Sequence, residues 1–200
     1  MLNIRVYSDY VCPYCFLGEQ VLLRAIRGQE DKVKIEWMPF ELRPYPTPTL
    51  KPEGTYLQQT WQQSVYPMSE QLGVPIVLPR VSPQPYTHLA FEGFQFAKEH
   101  GLADAYNHRM FTAFFQEEQN IGEVEVLTNL AAEIGLDPAA FRQALEQRTY
   151  KEQHQQALRH AFEEVKIAAV PTFIIGRHIY RGLLREQDFK QVITAALATT

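Results

Sequence analysis

Leu2-Asn3-Ile4-Arg5-Val6-Tyr7-Ser8-Asp9-Tyr10-Val11-Cys12-Pro13-Tyr14-Cys15-Phe16 is the stretch on which the fold turns. From Leu2 to Tyr7, apolar and polar side chains alternate with the two-residue period of a strand. Ser8-Asp9-Tyr10-Val11 breaks that period. Past Pro13 the apolar positions take helical spacing, with Cys15, Phe16, Val21, Leu22, Ala25 and Ile26 on one side. Pro13 suits a first helical turn, where its missing N–H would have had no partner, and Gly28 suits a carboxyl cap. Val33, Ile35 and Trp37 then alternate with Lys34 and Glu36, predicting a second strand stopped by Pro39. A helical crossover of this length runs its two strands parallel and right-handed.

The other end of the chain changes period in the same way. Val170-Pro171-Thr172-Phe173-Ile174-Ile175, Gly176-Arg177 and His178-Ile179-Tyr180-Arg181 predict a hairpin with a two-residue primed turn. Gly182 closes it, and 186–197 reads as a last amphipathic helix. Between the two ends the pattern is helical, over 55–72, 87–100, 103–115, 124–134, 138–147 and 150–165. Asp137 before Pro138 is a strong start signal. Arg159 and Glu163, one turn apart, support the 150–165 helix.

The chain of 200 residues carries 19 Lys and Arg against 23 Asp and Glu, a net charge of −4. The deficit is central, net −6 over residues 51–150 against +2 for the flanks, and ten of the 13 prolines lie between Pro39 and Pro85. These features predict a discontinuous unit formed by residues 1–50 and 150–200, with residues 51–149 inserted as an acidic, all-helical domain. No basic stripe exists to neutralise phosphates, so nucleic acid is not an expected partner. No apolar run is long enough to cross a bilayer, and the amino terminus lacks the regions of a secretory signal, so the expected location is cytoplasmic. Oligomeric state stays open, since ten tyrosines and twelve phenylalanines suit a core or an interface equally.

There are two cysteines, Cys12 and Cys15, and two placed at random would fall three apart in only about 1 case in 100. At the start of a helix, Cys12 meets unpaired N–H groups and the positive end of the macrodipole, which favour a thiolate. An exposed Cys12 is therefore the expected attacking sulfur, and Cys15, one turn on, the thiol that resolves a mixed disulfide. Inert cysteines would be buried in apolar surroundings. Zinc would need two more ligands, and the histidines offer no suitable pair; His154 and His160 are six apart on an exposed-looking helix, so no metal is expected. Pro171 at a strand start fits either a cis Val170–Pro171 bond or a trans proline at a strand entrance.

Cys12-Pro13-Tyr14-Cys15 on a strand–helix–strand unit, a helical insertion and Val170-Pro171-Thr172 before a terminal hairpin together resemble the thioredoxin superfamily, specifically DsbA-like oxidoreductases of the FrnE type. Ser8 to Gly18 and Ala169 to Phe173 look most like that branch. The resemblance implies an α/β, thioredoxin-like fold with an inserted all-helical domain. It implies Cys12 as nucleophile, Cys15 as resolving thiol and a cis Val170–Pro171 bond beside them. Val170, Pro171, Pro13 and Tyr14 would then meet the substrate, a thiol or disulfide of a protein or small molecule. DsbA itself has a histidine between its cysteines; Pro13-Tyr14 is the pair typical of glutaredoxins and implies a more reducing couple. Relatives of the same architecture, 2-hydroxychromene-2-carboxylate isomerases and kappa-class glutathione transferases, usually have serine at the position of Cys12. A glutathione-dependent isomerase or transferase is therefore the alternative. No resident cofactor is expected, with glutathione possible as a co-substrate. A third reading, a binding module of this fold, gives neither thiol a function.

Other residues carry plainer expectations. Phe91, Phe94, Phe96, Phe111, Phe114 and Phe115 have the spacing of core positions, with an apolar substrate groove as the alternative. Arg43, past the second strand, meets a ligand carboxylate or, as the expectation has it, a surface Glu. Glu19 is expected to be solvated rather than to accept a proton during exchange.

Overall fold

The computed structural model describes residues 1–199, leaving Thr200 outside the described residues. Strand β1 (Leu2–Ser8) lies inside the sheet, so its alternation feeds two cores. Ile4 and Val6 join the larger core together with Phe173 and Ile175. Tyr7 joins a smaller one with Phe40, Ala161, Ile167 and Ile174. Helix α1 (Pro13–Ala25) crosses over to β2 (Val33–Pro39), which pairs with β1 in parallel, Val6 opposite Trp37. Pro39 is the last residue of β2 rather than its stop, tolerated because β2 is an edge strand.

After the helical segment, β3 (Thr172–Ile175) adds antiparallel to the free side of β1, and β4 (His178–Arg181) adds antiparallel to β3. The order is β2-β1-β3-β4. Gly176 has φ +60° at the first turn position, the positive φ that a type II′ hairpin turn requires there. Strand β3 begins two residues later than its apolar run suggests. The Val170–Pro171 bond is cis, and the Pro171 carbonyl still receives the Gly182 N–H at 2.8 Å.

The segment 55–72 is one helical run with a wide turn in it: α2 (Thr55–Thr60), a π turn (Trp61–Val65) and α3 (Tyr66–Leu72). The Tyr66 N–H reaches back to the Trp61 carbonyl just before Pro67, which has no N–H to continue the usual ladder. Helices α4 (His88–Glu99), α5 (Ala103–Phe115), α6 (Val124–Glu133) and α7 (Pro138–Glu146) follow close to the predicted spans. Asp137 caps α7 by accepting the Ala140 N–H at 2.8 Å. The return helix is α8 (Lys151–Arg159), closed by a π turn (His160–Glu164). Arg159 pairs not with Glu163 but with Glu152, at 2.7 Å. Helix α9 (Glu186–Leu197) packs Phe189 edge-on to Phe173, ring centroids 4.8 Å apart.

The six phenylalanines of α4 and α5 are buried as core, not as a groove. Phe16 of α1 stacks on Phe111 and Phe115, and Tyr10 stacks on Phe91, ring centroids 4.4 Å apart, so the cysteine-bearing segment and the helical layer share one apolar core. Gly93 sets how closely that layer packs. A Cβ there would meet the Tyr106 hydroxyl, itself held by the Ala90 carbonyl, and would lie 2.7 Å from Phe141 Cζ. Both neighbours are fully buried, so relieving the contact means shifting packed rings. Gly93→Ala is therefore expected to destabilise the protein by about 2–3 kcal/mol, measured as a lower urea midpoint. An unchanged midpoint would show that α4, α5 and α7 yield at this contact.

Candidate active site

Cys12 is the N-cap of α1, in extended backbone at φ −91° and ψ 112°, and Pro13 fills the first helical position. The turn is drawn by backbone: the Cys12 N–H donates to the Asp9 carbonyl at 3.1 Å, and the Cys12 carbonyl accepts the Cys15 N–H at 3.1 Å. One helical turn separates the two free thiols and puts them on the same side of α1. The Cys12 thiol donates to the Val170 carbonyl at 3.8 Å, so residues 158 positions apart meet at one sulfur.

Cys12 is 4% exposed and Cys15 2%, whereas an exposed nucleophile is the sequence expectation. The difference comes from the helical segment, which lies over the cysteines. Tyr14 donates its hydroxyl to Ser64 Oγ at 2.8 Å, fastening the cysteine turn to the π turn after α2. A cavity of about 220 Å³ remains beneath, lined by Cys12, Pro13, Tyr14 and Val170 together with residues from 42–50, 56–61 and 84–87. Pro171 is not among the lining residues. Burial pushes the Cys15 thiol well above its ordinary range; Cys12 close by and the charge of Asp9 add to this, while the Asp9 N–H opposes it.

Asp9 is the residue that sequence reasoning passes over as loop. It is 1% exposed, Oδ2 accepts the Leu42 N–H at 2.8 Å, and Oδ1 has no hydrogen-bond partner among the described residues. Burial pushes it up to about 7, with the charge of Glu41 adding and the Leu42 N–H and nearby Thr87 hydroxyl opposing. An acid set closely between Tyr7 and Tyr10-Val11-Cys12 was the available signal.

Three further expectations are corrected. Glu19 is buried, not solvated, and accepts from Asn107 Nδ2 and Gln20 Nε2 at 3.0 Å while facing His108 Nδ1 at 3.0 Å. The bond to Glu19 is the main reason that the His108 pKa is raised. His154 is 2% exposed rather than on an open face, and Nε2 lies 2.6 Å from Glu41 Oε1. Arg43 has neither a surface Glu nor any other carboxylate partner among the described residues; its bond is Nη1 to the Pro48 carbonyl at 3.4 Å. Among the described residues no three His, Cys, Asp or Glu side chains are grouped to hold a metal ion, and no helix is long and apolar enough to cross a membrane.

Comparison with known proteins gives this geometry its kin. A Bacillus subtilis relative, the uncharacterized protein YwbO, is 54% identical over 194 residues, covering 96% of either chain. The solved probable DsbA oxidoreductase from Streptomyces coelicolor superposes at TM-score 0.83 and 20% identity, over 100% of this chain and 92% of that one. The cytosolic disulfide reductase DsbM from Pseudomonas aeruginosa, solved with glutathione, superposes at TM-score 0.71 and 20% identity, over 99% and 96%. At those identities the two structures speak for the fold. The DSBA-like thioredoxin domain model matches residues 3–194, and with it nearly the whole chain, its two-cysteine helix start included, belongs to the DSBA-like thioredoxin domain family.

Proposed function

We propose that the protein is a thiol–disulfide oxidoreductase in which Cys12 attacks and Cys15 resolves. The observation that carries this reading is that Cys12 lines a cavity, with the chain's one other thiol a helical turn behind it. As a thiolate, Cys12 attacks one sulfur of a substrate disulfide, and the other leaves as a thiolate that takes up a proton. Cys15 gives up its proton and attacks Cys12 Sγ, releasing the second substrate thiol and leaving a Cys12–Cys15 disulfide. Two electrons pass from the pair to the substrate. The Val170 carbonyl, which holds the resting Cys12 thiol, loses that donor as the mixed disulfide forms and is free to accept one from the substrate.

The rest of this reading follows from the same site. Residues 1–50 and 150–200 act as the redox unit, and 51–149 act as an insertion that roofs it. Glutathione is the proposed reductant of the oxidised pair, supported by the disulfide reductase of similar fold solved with it. The proposed setting is the cytoplasm.

The test is equilibration in glutathione redox buffers followed by acid quench and alkylation. The expected result is a reversible two-electron transition from two alkylatable thiols to none, at a more reducing potential than that of DsbA. A protein that keeps both thiols alkylatable at every buffer ratio is not a disulfide oxidoreductase.

A further inference from the structure

The approach to Cys12 restricts what the sulfur can meet. The cavity of about 220 Å³ falls below the roughly 300 Å³ at which drug-sized pockets begin. Hydrogen bonds tie its lining segments to one another and to the loops beside them. Tyr14 is bonded to Ser64, the Gln84 N–H donates to the Leu50 carbonyl at 2.8 Å, and Ser82 Oγ donates to the Glu53 carboxylate at 2.8 Å. A disulfide in a folded protein carries chain on both sides of each sulfur, and a space of this size favours a smaller partner.

The walls say more about the occupant. Val11, Leu50, Tyr56, Leu57, Trp61 and Pro85 make them apolar and partly aromatic. Two lining residues are charged, Asp9 and Arg43. Asp9 lies in the cysteine turn, so in its ionised form it disfavours an anionic group beside Cys12. Arg43 is exposed and has no carboxylate partner among the described residues, so the favourable place for an anion is at its guanidinium. Gln84 is 6% exposed and lines the same space, and its side-chain amide has no hydrogen-bond partner among the described residues, which leaves its NH2 group as donor and its carbonyl oxygen as acceptor for the occupant.

The geometry points to a low-molecular-weight disulfide, or its thiol, with an apolar or aromatic body and a carboxylate, selected by Arg43, as what Cys12 exchanges with. This rests on Cys12 being the attacking sulfur and adds the class of its partner. Reduction of such a disulfide balances within the protein: the Cys12–Cys15 pair loses two electrons and two protons, and two substrate thiols gain them.

The probes are the anionic 5,5′-dithiobis(2-nitrobenzoate), the neutral 4,4′-dithiodipyridine and insulin as a protein disulfide. Each single-turnover rate with the reduced protein is divided by that of dithiothreitol with the same disulfide. Arg43→Ala is expected to slow the nitrobenzoate reaction about tenfold and leave the pyridyl one within about twofold. Arg43→Lys keeps most of the parent rate. Added salt slows the nitrobenzoate reaction of the parent and hardly affects that of Arg43→Ala. Insulin reacts at least about a hundredfold more slowly than either small disulfide on this scale. Equal slowing of both dyes by Arg43→Ala, slowing of neither, or insulin reacting as fast as the small disulfides overturns the inference and leaves the oxidoreductase reading standing. That reading has its own control: exchange that survives in Cys12→Ser overturns it instead.

Discussion

Cys12→Ser is expected to lose disulfide exchange altogether, with single-turnover rates at least about a thousandfold below the parent, because a serine hydroxyl at neutral pH is not a nucleophile toward sulfur. Cys15→Ser is expected to behave differently. Its first step is intact, so substrate attaches to Cys12 and stays, and a mixed disulfide accumulates that mass spectrometry detects and dithiothreitol releases. Burial holds the Cys15 thiol high, so resolution is the step that gains most as pH rises. Stopped-flow reactions of the parent should therefore show a fast release of the first thiol and a slower, pH-dependent release of the second. If Cys15→Ser instead kept full turnover with glutathione and an electrophile, Cys15 would be dispensable and the glutathione-dependent isomerase or transferase reading would take over.

Local patterns carried much of this site. Strand alternation at Leu2–Tyr7, the shift to helical spacing at Cys15 and the hairpin around Gly176 depend on residues close in sequence, and the sheet follows them. Cys12 and Cys15 were legible because their spacing matches a helical turn. The burial of Cys12 was not, since it depends on Tyr14 reaching Ser64, fifty positions away. Charged side chains misled for a related reason. Glu19 and His154 look solvated by type, yet each is taken up by a partner from another element, Asn107 and His108 for one and Glu41 for the other. Sequence spacing cannot announce such partners. Arg43 is the converse case, placed where a partner was expected and left without a carboxylate among the described residues.

Asp9→Asn is expected to stabilise the protein at alkaline pH and to leave it no more stable at acid pH. The carboxyl sits near 3.8 in the unfolded chain and is pushed up to about 7 in the fold. Between those values the folded protein keeps a proton that the unfolded chain has released. The contribution of this group to stability is therefore greatest below about pH 4, falls as pH rises toward 7 and is flat beyond. At about 1.4 kcal/mol per pH unit, the whole fall is of order 4 kcal/mol. Asparagine carries no charge at any of these pH values, and its side-chain carbonyl can still accept the Leu42 N–H that Oδ2 now receives at 2.8 Å. The difference between variant and parent in urea unfolding should thus climb from near zero at pH 4 to about 2–4 kcal/mol at pH 8. Other carboxylates titrate in both proteins and cancel in that difference. The same charge helps to hold the Cys15 thiol up, so its removal should move the slow phase of exchange to lower pH. A stability difference that stays flat from pH 4 to 8 would mean that Asp9 is already ionised in the folded protein throughout, and the slow phase should then respond to the variant by the same factor at every pH.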